Sequence, residues 1–358
     1  YLATVSTTAL LYFVKPGWIV PAMVLVIVSN FAYALGEGFI ASFLPGLGPR
    51  SALGWISGLG WGLGYIGGLV ATAFALLFLG EVSADNYERV RWVGPFAAGF
   101  FFLAAIPTFA WLKERGRRRA LEPGQTFLGA GLGRLCQTWR AVGHFHDLRS
   151  LLVSIFFSAA GTSIVISFSF IYGAQVVGWN EQVRVLMFVT VQITAALGAL
   201  SFGVLQSRLG AKRVYLVTLS LWVAAILVIW QTPALTGLMH RLFGVSWEAQ
   251  YVFLFAGVLS GLSLGSAQSA GRALMGVLTP EGKAAEFFGF WSMASKLAAI
   301  FGIFGLGLIQ AALGLADAIV FCLALFLLAM FTILPMSEAR GQKAAETWRD
   351  PKWRHKPT

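Results

Sequence analysis

AQYVFLFAGVLSGLSLGSAQSAGRALMGV (249–277) and AAEFFGFWSMASKLAAIFGIFGLGLIQAA (284–312) are separated by only six residues, LTPEGK. Each run is 29 residues long, and together they carry three charges, Arg272, Glu286 and Lys296. A hydrocarbon core of about 30 Å needs about 20 helical residues to cross it. Inside lipid a backbone amide finds no water, so a spanning segment must be a helix or part of a closed barrel. Barrel strands alternate apolar and polar residues over about ten positions, and neither run does so. The pair reads as two membrane-crossing helices joined by a tight turn. Thr279 followed by Pro280 is a helix-start signal, a side-chain acceptor before a residue that needs no N–H partner.

The same reading extends along the chain. Further apolar stretches lie near 1–14, 18–43, 52–79, 92–112, 150–175, 183–206, 213–231 and 315–336, giving ten in all, nine of them long enough to cross. Hydrophobic residues make up 58% of the sequence and charged residues 11%, where a soluble domain has about a quarter charged. The mean hydropathy is +0.76. The fold class is an all-α polytopic membrane protein, with the lipid bilayer as its main partner.

A net charge of +11 invites a nucleic-acid reading, which the placement of the charges opposes. When the loops are assigned alternately, twenty of the 26 Lys and Arg fall on one side, five on the other, and Lys296 inside a span. The positive-inside rule makes the rich side cytoplasmic, with both visible termini there, and bacterial inner membrane the expected location. No nucleic-acid partner is expected. The first stretch ends at Lys15 and is too short to cross.

Four spans (1–112) precede a basic linker (113–149), six follow it (150–336), and a basic tail closes the chain (337–358). In the linker Phe127, Leu128, Leu132, Leu135, Trp139, Val142 and Phe145 recur near helical spacing, so an amphipathic helix on the membrane surface is expected.

Charges inside spans are costly and mark function by default. Glu37, with Tyr33 one turn earlier, suits a proton, a cation or a substrate amine. Lys296, with Ser292 one turn before it, lies about 20 Å from the Lys283 end, too far to snorkel, and suits a carboxylate or an acid partner. Gln268 and Arg272 are also one turn apart, and the turn at Pro280 is expected to bring Arg272 and Glu286 close enough to pair as a cytoplasmic gate. Each has a structural alternative: a carboxylate satisfied by neighbouring helices, or a clamped loop.

Seven glycines crowd GWISGLGWGLGYIGG (54–68), and Gly54/Gly58, Gly60/Gly64 and Gly64/Gly68 have the spacing that lets helix backbones approach closely. Ser154, Ser158 and Thr162 form a mildly polar stripe that lines a cavity or glues helices. Cys136 and Cys322 lack the spacing for a disulfide or a metal site. No catalytic constellation, metal ligand set or cofactor motif is visible, so the chain reads as a non-enzyme.

Two blocks carry a family resemblance. FIASFLPGLGPRSALGWISGLGWGLGYIGG (39–68), through Leu44-Pro45, Ser57-Gly58 and the Gly60–Gly68 run, and GSAQSAGRALMGVLTPEGKAAEFFGFWSMASKLAAIFG (265–302), through Gln268, Arg272, Pro280, Glu286-Phe287-Phe288-Gly289 and Lys296, resemble the vacuole effluxer-like branch of the major facilitator superfamily. GVLQSRLGAKR (203–213) resembles that superfamily's cytoplasmic motif, with Gly203, Arg208, Gly210 and Lys212 in place and Ser207 where an acid is usual. Ala160 stands where the branch tends to carry Asp.

The resemblance implies a major facilitator-type helical bundle with ten of twelve helices visible, the first two preceding Tyr1. It implies a secondary transporter that works by alternating access on a small polar, amino-acid-like solute, with proton coupling open. Glu37, Tyr33, Lys296, Gln268 and Ser292 are the expected binding residues, and Arg272, Glu286, Arg208 and Lys212 the cytoplasmic gate. Ser207 and Ala160 keep a second class open, a transporter fold retained as a non-transporting subunit or assembly factor of a larger membrane complex. A lipid or lipid-precursor translocator is a third.

Overall fold

A computed structural model describes the chain except for residues 81–84, 114–125, 127, 128, 130, 132, 134–137, 139–141, 144, 245–247, 281 and 349–358, and the side chain of Phe243. The described elements are all helices. Nine are long and apolar enough to cross a membrane, and Leu2–Phe13 is a shorter apolar helix, as the ten stretches predicted. The long, nearly uncharged runs leave the backbone no other way to satisfy itself in lipid.

The chain forms two compact units, Tyr1–Ala41 with Gly67–Ala120 and Ser42–Ile66 with Leu121–Thr358. The first contains α1 (Leu2–Leu10), α2 (Ile19–Ala41), the end of α3 (Leu53–Phe74) and α4 (Val93–Trp111). The hydroxyls of Thr8 on α1 and Ser29 on α2 share a hydrogen bond of 2.7 Å. Phe74 stacks on Phe96 with ring centroids 3.6 Å apart.

Among its described residues the second unit holds the first part of α3, the short helix Leu315–Ala318, and α5 (His146–Tyr172), α6 (Glu181–Leu209), α7 (Ala211–Trp230), α8 (Thr232–Phe243), α9 (Ala249–Leu278), α10 (Ala284–Leu313), α11 (Val320–Ile333) and α12 (Glu338–Thr347). Its densest seam joins α6 to α9, where Gly257, Gly261 and Gly265 recur every four residues. A Cβ on Gly265 would lie 2.9 Å from the Ala199 nitrogen, and one on Gly261 2.7 Å from the Val191 carbonyl oxygen. Lipid tails are as apolar as leucine, so close backbone packing rather than hydrophobic expulsion holds such helices together. Hydroxyls add to it: Thr218 meets Ser266 at 2.9 Å, and Ser154 donates to Ala329 O at 2.7 Å. The Ser154 end of the polar stripe is therefore helix glue. Ala160 is fully buried against Gly302, whose Cβ would come 3.0 Å from the Ala160 Cα.

Several local expectations need correction. Thr279 does not open the second helix of the hairpin. It ends α9, its hydroxyl donates back to Met275 O at 2.6 Å, and α10 starts at Ala284. Of the expected glycine pairs, Gly54 and Gly58 pack tightly, whereas a Cβ on Gly64 would meet nothing within 4 Å. The surface helix expected in the linker rests mainly on residues outside those described, among them Phe127, Leu128, Leu132, Leu135 and Trp139. Val142 and Phe145 are described, and both are buried in protein. Phe145 lies edge-on to Phe287 at 5.9 Å. α8 and α12 were not anticipated.

Candidate functional site

The first part of α3 lies on α6 along one stripe. A Cβ on Gly54 would fall 2.6 Å from Gln206 Cβ, one on Gly58 2.8 Å from the Gly203 Cα, and one on Gly62 2.7 Å from Leu200 Cγ. A surface this smooth allows close contact without interlocking side chains. On the adjoining face Ser57, Trp61 and Tyr65 recur every four residues and meet α9.

Arg272 of α9 makes the central contact. Its Nε donates to Ser57 Oγ at 3.0 Å and an Nη to the Ser57 carbonyl oxygen at 2.9 Å. The guanidinium carbon lies 5.4 Å from the Trp61 ring centroid. Gly60 makes room for it, because a Cβ there would sit 2.9 Å from that Nη. Ser57 Oγ in turn donates to Ser269 O at 2.9 Å, and Gln206 Nε2 donates to Ser269 Oγ at 3.3 Å. One turn deeper, Tyr65 donates its hydroxyl proton to Gln268 Oε1. Hydrogen bonds to a charged group contribute roughly 1.5–3 kcal/mol each. Two of those on Arg272 end on neutral acceptors, which part at lower cost than a buried ion pair.

The remaining expected residues divide among several places. The Arg272–Glu286 pair does not form. Glu286 lies in the first turn of α10, one turn from Lys283, and that ammonium reaches its carboxylate at 2.8 Å while Thr138 donates to it. Lys212 caps the end of α11, its Nζ donating to Leu334 O at 2.8 Å and Met336 O at 2.5 Å. Arg208 is exposed two residues before Gly210, whose φ of +86° turns the chain into α7. Ser207 Oγ donates to Val204 O at 2.7 Å.

Ser292 and Lys296 share a face of α10. Ser292 is partly buried and Lys296 exposed, to one side of the buried Ala298, Gly302 and Leu306 stripe on which Gly302 meets Ala160 of α5. Glu37 and Tyr33 belong to the first unit, where the Tyr33 ring is 6.0 Å from that of Phe101. Sequence reasoning missed Ser57, Trp61, Tyr65, Gln206 and Ser269. The four-residue recurrence of the first three beside the glycine stripe was the available signal.

The family described as "Vacuole effluxer Atg22 like" matches residues 49–346. An uncharacterized MFS-type transporter, YxiO, of Bacillus subtilis is 24% identical over 303 residues, covering 84% of this chain and 67% of that protein. Autophagy-related protein 22-1 of Aspergillus fumigatus is 23% identical over 305 residues, covering 81% of this chain. The chain spans 49% of that fungal relative's length. Among solved structures, the Escherichia coli fucose:proton symporter FucP superposes with a TM-score of 0.66 at 13% identity, over 94% of this chain and 82% of the symporter. The human organic anion transporter MFSD10 gives 0.60 at 17% identity, over 93% and 75%. These likenesses show a shared fold, and the match over 49–346 gives the narrower placement: the chain belongs to the vacuole effluxer Atg22-like family of the major facilitator superfamily.

Proposed function

We propose that the chain is a secondary transporter of the major facilitator kind that carries a small polar, amino-acid-like solute by alternating access. The observation that carries this reading is the crossing of α3 by α9. A membrane-embedded guanidinium is held by a hydroxyl, a carbonyl and an indole face, on a seam whose glycines leave nothing interlocked. Such a contact holds a gate shut and still releases it.

The seam is closed at the end where Arg50, Lys212, Lys283 and Arg340 gather, the cytoplasmic end by the positive-inside rule. Both visible termini then face the cytoplasm, and the membrane is a bacterial inner membrane. Tyr65 and Gln268 lie one turn from the gate contact and suit orientation of a polar solute, with Ser292 and Lys296 of the same unit offering a hydroxyl and an ammonium for a carboxylate. Taken by itself, the first unit offers the Glu37 carboxylate, with Tyr33, for an amine or a proton. The family's description as a vacuole effluxer favours outward movement of that solute.

The test is saturable binding of radiolabelled amino acids to the purified full chain in nanodiscs, competed with unlabelled amino acids, sugars and organic anions. Saturation by one amino-acid class supports the reading. Competition by sugars or organic anions alone replaces the solute class. No saturable binding of any of them counts against transport.

A further inference from the structure

We propose that α12 (Glu338–Thr347) is a clasp that holds the basic-end gate shut, so that its release controls how readily the transporter opens inward. The proposal rests on the alternating-access reading above.

The helix is anchored on one side and grips on the other. At the anchor, Arg340 forks onto Asp147 at the start of α5, with Nε to Oδ2 at 2.8 Å and an Nη to Oδ1 at 2.5 Å. Asp147 is only 4% exposed and also accepts the Ser337 N–H at 2.7 Å. A guanidinium is charged at any physiological pH, and hydrogen bonding to Asp147 raises the pKa of Arg340 further. Glu338 accepts the Lys212 N–H at the start of α7, at 3.2 Å. Gly341 lets the helix sit close, since a Cβ there would fall 3.0 Å from Asp147 Cβ.

The grip faces the other way. Arg50 donates to Gln342 O at 3.3 Å and lies 3.7 Å from Glu346. Arg50 heads the short segment that runs directly into α3 and Ser57, so α12 ties the moving side of the gate to the roots of α5 and α7.

The two ends differ in strength. A bidentate fork on a buried carboxylate is short and geometrically fixed. The Arg50–Glu346 pair is longer, and its side chains are 23% and 52% exposed. A polar cavity of about 630 Å³ lies beneath, lined by Arg50, Gln206, Glu338 and Gln342 among others. Water and salt reach such a contact and weaken it. The grip is therefore the end that lets go, while the anchor keeps the helix positioned to rebind.

The experiment places spin labels at Ser51→Cys and Ser207→Cys in the full chain, with Cys136→Ser and Cys322→Ser, in nanodiscs. Pulsed electron paramagnetic resonance then reads the distance across the cytoplasmic end. Glu346→Lys breaks the grip, Arg340→Gln breaks the anchor, and Gly58→Leu wedges α3 from α6. Glu346 is half exposed, so its variant folds even where the anchor variant does not. The clasp predicts a longer-distance population that rises about three- to tenfold in both clasp variants, the size expected for losing a few partly exposed charged contacts. If the wedge lengthens the distance and both clasp variants match wild type, the clasp is wrong and the transporter reading stands. If the wedge also leaves one distance, the gate itself does not part and both readings fall.

Discussion

Ser57→Ala isolates the gate contact without touching the charge. The hydroxyl accepts from Arg272 Nε at 3.0 Å and donates to Ser269 O at 2.9 Å. Alanine removes both bonds and leaves the Nη–carbonyl bond and the Trp61 contact in place. The lost acceptor served a cation, so the closed form loses roughly 1.5–3 kcal/mol. In an inward-open form the same Nε turns to water in either protein, so little of that loss is shared. At about 1.4 kcal/mol per factor of ten, the open population rises roughly tenfold to a hundredfold. Ser269 is fully buried at the seam, and a cysteine there is close in size. In the background with Cys136→Ser and Cys322→Ser, the alkylation rate of Ser269→Cys by a maleimide reports opening. The rate should rise by that factor when Ser57→Ala is added. An unchanged rate would mean that the Ser57–Arg272 bond does not hold the gate, and the reasoning from this crossing would be refuted.

Lys296→Ala is expected to abolish uptake or efflux in proteoliposomes while gel-filtration and melting profiles stay near wild type, whereas wild-type flux would remove Lys296 from the site. Tyr65→Phe deletes only the hydroxyl that bonds Gln268 and should weaken solute binding about fivefold to tenfold, read as KM against an unchanged yield of folded protein. Gly265→Val should prevent folding or lower the melting temperature sharply, since its side chain would enter the backbone of α6, while Gly64→Ala should melt within a degree or two of wild type or slightly above it. Comparable melting of the two glycine variants would contradict the packing account.

The spans were legible because lipid imposes one rule on every backbone amide, and runs such as 249–277 and 284–312 satisfy it without ambiguity. The less apolar helices were harder to read. Thr232–Phe243 begins with Thr232-Pro233, a helix start, and carries Leu235, Leu238, Met239 and Leu242 at helical spacing, but its 12 residues read as a loop between longer spans. Glu338–Thr347 has only Gly341, Ala344 and Ala345 for an apolar face, and its docking depends on Asp147, nearly two hundred residues away, which no local pattern reveals.

In the candidate site, Arg272 and Gln268 stood out because charge and amide are rare in a span. Their partners did not, because serine, tryptophan and tyrosine are ordinary there. The expected Arg272–Glu286 pair failed for a local reason. Lys283 lies one turn from Glu286 and reaches it first, while the guanidinium turns across α9 to α3. Gly64, read as part of a packing motif, shows that four-residue glycine spacing marks a seam only where a neighbouring helix is present.

Entrance counterflow tests the central claim most directly. The full chain is reconstituted in proteoliposomes, preloaded with a millimolar amino-acid mixture and diluted into trace labelled amino acid. Alternating access predicts a transient accumulation of label above equilibrium, which Arg272→Met alters and Lys296→Ala eliminates. Label that only equilibrates, at the same rate in liposomes without protein, would contradict carriage of an amino-acid-like solute through a gated helical bundle.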